Sequence, residues 1–179
     1  HDMTNSAKSA LWLCVLVLMV TGVAATSFWT FKQAKQAAQT RDQAHIVMSQ
    51  ADELLSSVKD AETGQRGYLL TGEERFLEPY LMARSNIPSQ LADLLQITPP
   101  GTARELLNDL TPKVNAKLEE LAHVIALHRN HQVSTALARV KGGEGMRLMD
   151  AIRSDMKQYI AVQEGVALQS DANFLSNMR

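Results

Sequence analysis

Three histidines and a glutamate stand at spacings that could hold a metal. Glu120-Leu121-Ala122-His123 has the Glu-x-x-His spacing of di-iron helical bundles. That chemistry takes two such motifs and further glutamates on facing helices, and this sequence contains one motif. His128 and His131 share a helical face, but two ligands leave a metal site incomplete. Histidines near the end of a helix are also favoured simply as positive charge. Cys14 is the single cysteine, which excludes a disulfide framework, a zinc site of Cys ligands and an iron–sulfur cluster. No Cys-x-x-Cys-His occurs, so covalent haem is excluded, and no nucleophile–base pair or Gly-rich phosphate loop stands out. The expectation is a non-enzyme with no cofactor and no metal.

A second constellation is ionic. On a helical wheel Ala61, Gln65 and Leu69 continue the apolar stripe of Val47, Ala51 and Val58. Glu62 falls on that stripe and Arg66 at its edge. A carboxylate facing a core needs a partner, and Arg66 one turn on is the nearest candidate. Such a polar layer either biases two arrangements of a bundle or simply fixes helix register. Lys117, on the apolar side of a later helix, snorkels or pairs with a carboxylate across the bundle. Asp60, Gly64, Gly67 and Thr71 line the opposite face of the Glu62 helix. Two glycines on one helical face mean that another backbone comes close, either a sister subunit or a neighbouring helix. The Met149 and Met156 stripe reads as core filling.

The elements that must position these residues are helices. The chain has 179 residues, Gly 9, Pro 5 and 5% aromatics, too few turn residues and strand formers for a sandwich or barrel. With 45% hydrophobic residues it folds. Lys+Arg 18 against Asp+Glu 19 leaves no basic excess for nucleic acid. Apolar residues recur at spacings of three and four from residue 47 to 69, from Phe76 to Leu95, from Leu106 to Ile125 and from Met146 to Ala167. Thr71 with Glu74, and Thr102 with Glu105, read as capping boxes. Residues 98–101 are a firm break, residues 134–140 a short helical turn or two, and residues 141–145 a loop. Pro79 fits a first turn, while Pro88 falls inside its helix and should bend it. The expected fold is all-α: an up-down-up-down four-helix bundle whose first and last helices are the long pair.

Residues 9–31 carry no charge, enough as a helix to span about 30 Å of hydrocarbon. Trp12, Phe28 and Trp29 suit the aromatic belts at either interface. The alternative is a secretory signal peptide cleaved after the small residues 22–25. The run continues past them to Phe31, which favours the anchor. His1-Asp2 before Met3 reads as a cloning scar. The expected organisation is a tail at residues 1–8, a transmembrane helix at 9–31 and a four-helix extracytoplasmic domain at 32–179. A second span and an output region are expected beyond Arg179.

The segment from Asp60 to Gly72, DAETGQRGYLLTG, followed by EERFLEPY to Tyr80, resembles the signature of the third type of CHASE domain, the cyclase/histidine-kinase-associated sensory extracellular domain. Gly145-Met146-Arg147-Leu148-Met149-Asp150-Ala151-Ile152-Arg153 is similar to that family's start of the fourth helix. The resemblance covers roughly residues 35–175. It implies a sensor module between two membrane spans of a bacterial receptor: a histidine kinase, a nucleotide cyclase or a chemotaxis-type protein. It supplies no ligand, which is expected to be a small molecule or a protein. The inner membrane is the expected location, with the sensor in the periplasm or outside the cell, and a homodimer the expected assembly. The rivals are a periplasmic metal- or redox-linked four-helix protein and a structural membrane-anchored adaptor.

A ruler predicts one further pairing. Glu62 lies nine residues before Thr71, so about 14 Å below the turn. Arg153 lies seven residues after Met146, so about 11 Å below the same end. Glu62 is therefore expected to pair with Arg153 as well as Arg66. The expected signature and polar layer comprise Asp60, Glu62, Gly64, Gln65, Arg66, Gly67, Lys117 and Arg153.

Overall fold

Leu and Ala dominate the inward positions, straight-chain residues the outward ones, and helix follows almost throughout. The computed structural model describes residues 3–176, some side chains toward the two ends excepted; His1-Asp2 and the side chains of Lys8 and Cys14 lie outside the described residues. The elements are α1 (Met3–Thr71), a 3₁₀ turn (Glu74–Leu77), α2 (Glu78–Ile97), α3 (Thr102–Arg129), α4 (Val133–Lys141) and α5 (Glu144–Ser176). The chain divides into two units, Gln43–Ala167 and the flanking His1–Asp42 with Leu168–Arg179.

Within the first unit, α1, α2, α3 and α5 form the four-helix bundle. Their directions follow from who meets whom. Glu53 and Gly64 of α1 meet Gln90 and Tyr80 of α2, so those helices are antiparallel. Lys117 of α3 lies beside Glu62 of α1, and Arg129 meets Glu74, so α3 runs parallel to α1. Lys113 and Lys117 meet Asp155 and Gly145, so α5 descends. The core is one continuous cluster. It draws Val47, Leu54 and Val58 from α1, Ile87 and Leu94 from α2, Leu107, Leu110 and Leu121 from α3, and Met149, Ile152 and Met156 from α5. Each fully buried side chain of this size stabilises the fold by about 1.5–3 kcal/mol relative to exposure. The methionine stripe of α5 is core, as its spacing suggests.

The turns differ from the capping expectations in instructive ways. α1 ends because Gly72 takes φ 70° and donates to the Tyr68 carbonyl at 2.8 Å, a left-handed stop that glycine makes without strain. Thr71 Oγ1 then accepts from the Glu73 amide at 3.2 Å. Glu74 does not complete a box, because its carboxylate is taken by Arg129 at 2.7 Å. The chain instead tightens into the 3₁₀ turn before α2 begins at Glu78, with Pro79 in its first turn. At α3 the N-cap is Gly101 at φ 140°, and Thr102 is already helical, so its hydroxyl does not cap. The segment expected as a turn or two is α4, and α5 starts at Glu144, so the expected loop shortens.

In the other unit, Val15–Lys32 is one stretch long and apolar enough to cross a membrane, with mean hydropathy 1.5. Its large side chains, Leu18, Phe28 and Trp29 among them, are exposed. The hydroxyls of Thr26 and Thr30 donate back to carbonyls one turn earlier, at 3.0 Å, as does that of Thr21. The three threonine hydroxyls inside the run are thus satisfied without solvent.

Candidate functional site

The ionic residues singled out above converge on Lys117. Its side chain is 2% exposed, in the middle of α3 among Val114, Leu121 and the rest of the core. The ammonium donates to the Gly145 carbonyl at 2.9 Å. It lies 3.6 Å from Glu120 of its own helix and 3.9 Å from Glu62 of α1. Glu62 is held from its outer side by Arg66, one turn on, at 2.5 Å. Lys117 thus links α1, α3 and the first turn of α5. Two cations and two carboxylates make the group neutral, which is what its burial demands.

The fit around Lys117 is close. A Cβ on Gly145 would stand 2.8 Å from a Glu120 carboxylate oxygen and 2.9 Å from Lys117 Nζ. Gly145 therefore belongs to the layer as much as the charges do. Two buried polar atoms here have no hydrogen-bond partner, Gln65 Nε2 and Glu120 Oε2. Gln65 follows Glu62 by three residues and lies one turn above it, whereas Glu120 Oε2 lies within the layer, 3.6 Å from the Lys117 ammonium.

Arg153 does not join the layer. It is exposed and pairs with Asp150 of its own helix at 3.2 Å. The ruler placed its height, but inward pointing on α5 belongs to Met149, Ile152 and Met156, and Arg153 lies one residue past Ile152, about 100° around. The position opposite Glu62 is filled from α3 by Lys117. Asp60 also stands apart, exposed and facing the groove beside Glu78 and Pro79.

Gly64 and Gly67 answer the question of close approach within the chain. A Cβ on Gly64 would meet the Tyr80 amide nitrogen at 2.9 Å and the Phe76 carbonyl at 3.1 Å. One on Gly67 would meet the Phe76 ring at 3.2 Å. The neighbour is the 3₁₀ turn and the start of α2. The face opposite the main stripe is therefore partly buried too.

Two further polar clusters escaped sequence reasoning. Near the α1–α2 turn, Arg129 grips Glu74 with both arms of its guanidinium, and the His128 ring meets Tyr68 edge-on at 4.8 Å. The hydrogen bonds from Arg129 hold the Glu74 carboxyl below its ordinary range, and the same contact raises Arg129. His128 thus packs on a tyrosine, and among the described residues no three His, Cys, Asp or Glu side chains converge as a metal site. At the opposite end of the bundle, the Tyr159 hydroxyl lies 2.7 Å from that of Thr98, both buried. Burial pushes Tyr159 above the ordinary phenol value, with Thr98 and Gln163 opposing more weakly. A buried tyrosine at a core position of α5 implies a partner, but the sequence does not say which helix end supplies it.

Residues 37–173 match the family model described as the CHASE3 domain, which takes in the Glu62 signature, Lys117 and the start of α5. The chain belongs to the CHASE3 family. Among solved structures, the sensor domain of histidine kinase HK9 from Rhodopseudomonas palustris shares its fold, at TM-score 0.64 and 21% identity, covering 70% of this chain and 98% of that one. No curated protein matches the chain significantly. The CHASE3 assignment makes this a sensor domain of the kind that receptors carry, built on the helical fold described above. In this CHASE3 domain the signature DAETGQRGYLLTG does two jobs. Gly64 and Gly67 admit α2, and Glu62 with Arg66 closes the buried Lys117 layer.

Proposed function

We propose that the chain is the extracytoplasmic signal-input domain of a membrane receptor and that it passes a helix rearrangement along α1 and α5. One observation carries the reading. A single helix, α1, holds both the membrane-length apolar stretch Val15–Lys32 and the signature residue Glu62, which meets the buried Lys117. A shift of Lys117 between its partners is therefore a shift of α1 against α3 and α5. The layer supplies what a two-state element needs: charges that exchange partners at little net cost, and a signal that stabilises one arrangement over the other. The anchor is residues 9–31, the sensor lies in the periplasm or outside the cell, and two copies assemble about a two-fold axis. A histidine kinase is the output suggested by the fold neighbour, whose name is that of a histidine kinase sensor domain.

The experiment is made in the full receptor. Four glycines inserted beside Gln36 interrupt the helix between input and membrane. Output should become independent of input. Signalling that persists unchanged through the insertion refutes rigid transmission along α1.

A further inference from the structure

A half-open cavity of about 310 Å³ lies between α2 and α3, large enough for a small organic molecule. Leu81 and Ile125 give it aliphatic walls, and Ala122 and Ala126, one turn apart on α3, leave the space between the helices. Its charged residues are Arg84 and Arg129, and no carboxylate lines it. Arg129 is matched by Glu74. Arg84 is exposed, meets no carboxylate among the described residues, and has none one turn away on α2. Tyr80 is 3% exposed, yet among the described residues nothing bonds its hydroxyl. That hydroxyl is not one of the sealed, orphaned polar atoms of the core, so it opens on the cavity that Tyr80 lines.

We propose that this cavity binds a small organic monocarboxylate, with its carboxylate on Arg84 and its apolar body against Leu81, Ile125 and the two alanines. A guanidinium takes a carboxylate through two parallel, charge-assisted hydrogen bonds. A lining with one unmatched guanidinium and no carboxylate is positive, so it repels amines. Its aliphatic walls favour an acid with a carbon body over inorganic phosphate or sulfate, whose every face needs a hydrogen bond. A dicarboxylate would leave its second charge against those walls. Position along the groove agrees. The carbonyls at the end of α3, near Arg129, disfavour an anion. Because α2 and α3 are antiparallel, Arg84 lies farther from that end than Tyr80 does. Tyr80, one turn from Arg84 on the same face, donates a further hydrogen bond to the carboxylate. Tyr80 also ties the cavity to α1. Its amide nitrogen and Cβ are atoms that a Cβ on Gly64 would meet, at 2.9 and 3.3 Å. A ligand held by Tyr80 therefore acts at a close contact with the signature helix. The inference names an input class for the sensor reading and rests on that reading only for its biological meaning; binding itself is measured without any output.

The test is titration calorimetry on the full chain in lipid nanodiscs, with sodium benzoate as the probe and empty discs as the blank. Benzyl alcohol, which keeps the ring and has no charge, and inorganic phosphate, which keeps the charge and has no carbon body, are the comparisons. Saturable binding of benzoate alone is expected. R84Q should weaken it about tenfold, as loss of one charge-assisted contact does. Y80F keeps the ring and should weaken it about threefold. A126L, at an exposed position of α3, fills the space and should abolish it. R153Q, which removes an exposed arginine of α5 paired with Asp150, should leave binding unchanged. The proposal fails if benzoate does not saturate, if benzyl alcohol or phosphate binds equally, or if R84Q, Y80F or A126L binds as the parent does.

Discussion

Replacing Lys117 by Met keeps the length of the side chain and removes its charge. At 3.6 Å and 3.9 Å, the attractions to Glu120 and Glu62 are each about 4–5 kcal/mol at an effective dielectric constant of about 20. Met escapes the cost of burying an ammonium, which returns several kcal/mol. Glu62 keeps Arg66, whose guanidinium is 69% exposed and compensates it at the surface. Glu120 keeps nothing. Its carboxylate is 5% exposed, and one of its oxygens already lacks a hydrogen bond. The Gly145 carbonyl also loses its donor. The net expectation is a loss of about 3–5 kcal/mol, the usual cost of stranding one member of a buried pair. The double change Lys117→Met with Glu120→Gln should recover most of that loss, because the stranded charge goes with its partner. Urea unfolding of the full chain in mild detergent, followed by circular dichroism at 222 nm, measures all three proteins. If the single change costs under about 1 kcal/mol, or if the double change costs as much as the single, the charge is not buried against Glu120 and the reasoning is wrong.

Two glycines of similar helical setting should respond oppositely to Ala. At Gly64 a Cβ strikes Tyr80 and Phe76 backbone, so overpacking of about 1–3 kcal/mol outweighs the helix-propensity gain of about 1. At Gly165 nothing lies within 4 Å, and Ala should stabilise by about 0.5–1 kcal/mol; melting shifts of the same sign for both would contradict the packing. Burial keeps Tyr159 protonated above the ordinary phenol value, so the unfolded chain loses that proton first as pH rises. Stability present below about pH 10 should then decline toward the raised folded value, and Tyr159→Phe should flatten that decline; parallel alkaline profiles for the two proteins would count against it. The Glu74 carboxyl, lowered by Arg129, should titrate by NMR below ordinary glutamates and return to them in Arg129→Met. Its contribution to stability is present above the unfolded value and disappears as pH falls through the folded one. A Glu74 titration that the Arg129 change leaves in place would show that the guanidinium is not the cause.

Periodicity is a local property, and what depends on it was readable along the chain. The apolar spacing of Val47 to Leu69, the break at residues 98–101 and the charge-free stretch from 9 to 31 each involve neighbours within one helix. From them follow an all-helical bundle, its helix order and a membrane-length segment. The glycine pair told of a close approach because the cost of Gly inside a helix has to be offset by something. The inward placement of Glu62 and Lys117 was readable for the same reason, since each interrupts an apolar stripe.

Which partner each residue meets is a question of rotation as well as height, and only packing sets rotation. The ruler put Arg153 level with Glu62, yet one residue along α5 is about 100° of turn, and that carried its guanidinium out to Asp150. Lys117 took the position from a helix parallel to α1, and Gly145 entered the layer because a carbonyl at the start of α5 lies where the ammonium needs an acceptor. Glu120 had been legible only as half of a metal motif. Its ion pair with Lys117 is one turn along the same helix, but the Glu62 carboxylate that shares that lysine is beside it only once α1 and α3 are brought together. Capping behaved the same way: Thr102 and Glu105 have the spacing of a box, but the backbone at Gly101 begins the helix one residue early, and Glu74 found a stronger partner in Arg129. The sequence determined which residues face inward. The tertiary structure decided whom they meet there, because ion pairs and close approaches depend on distances between helices that no spacing along one of them contains.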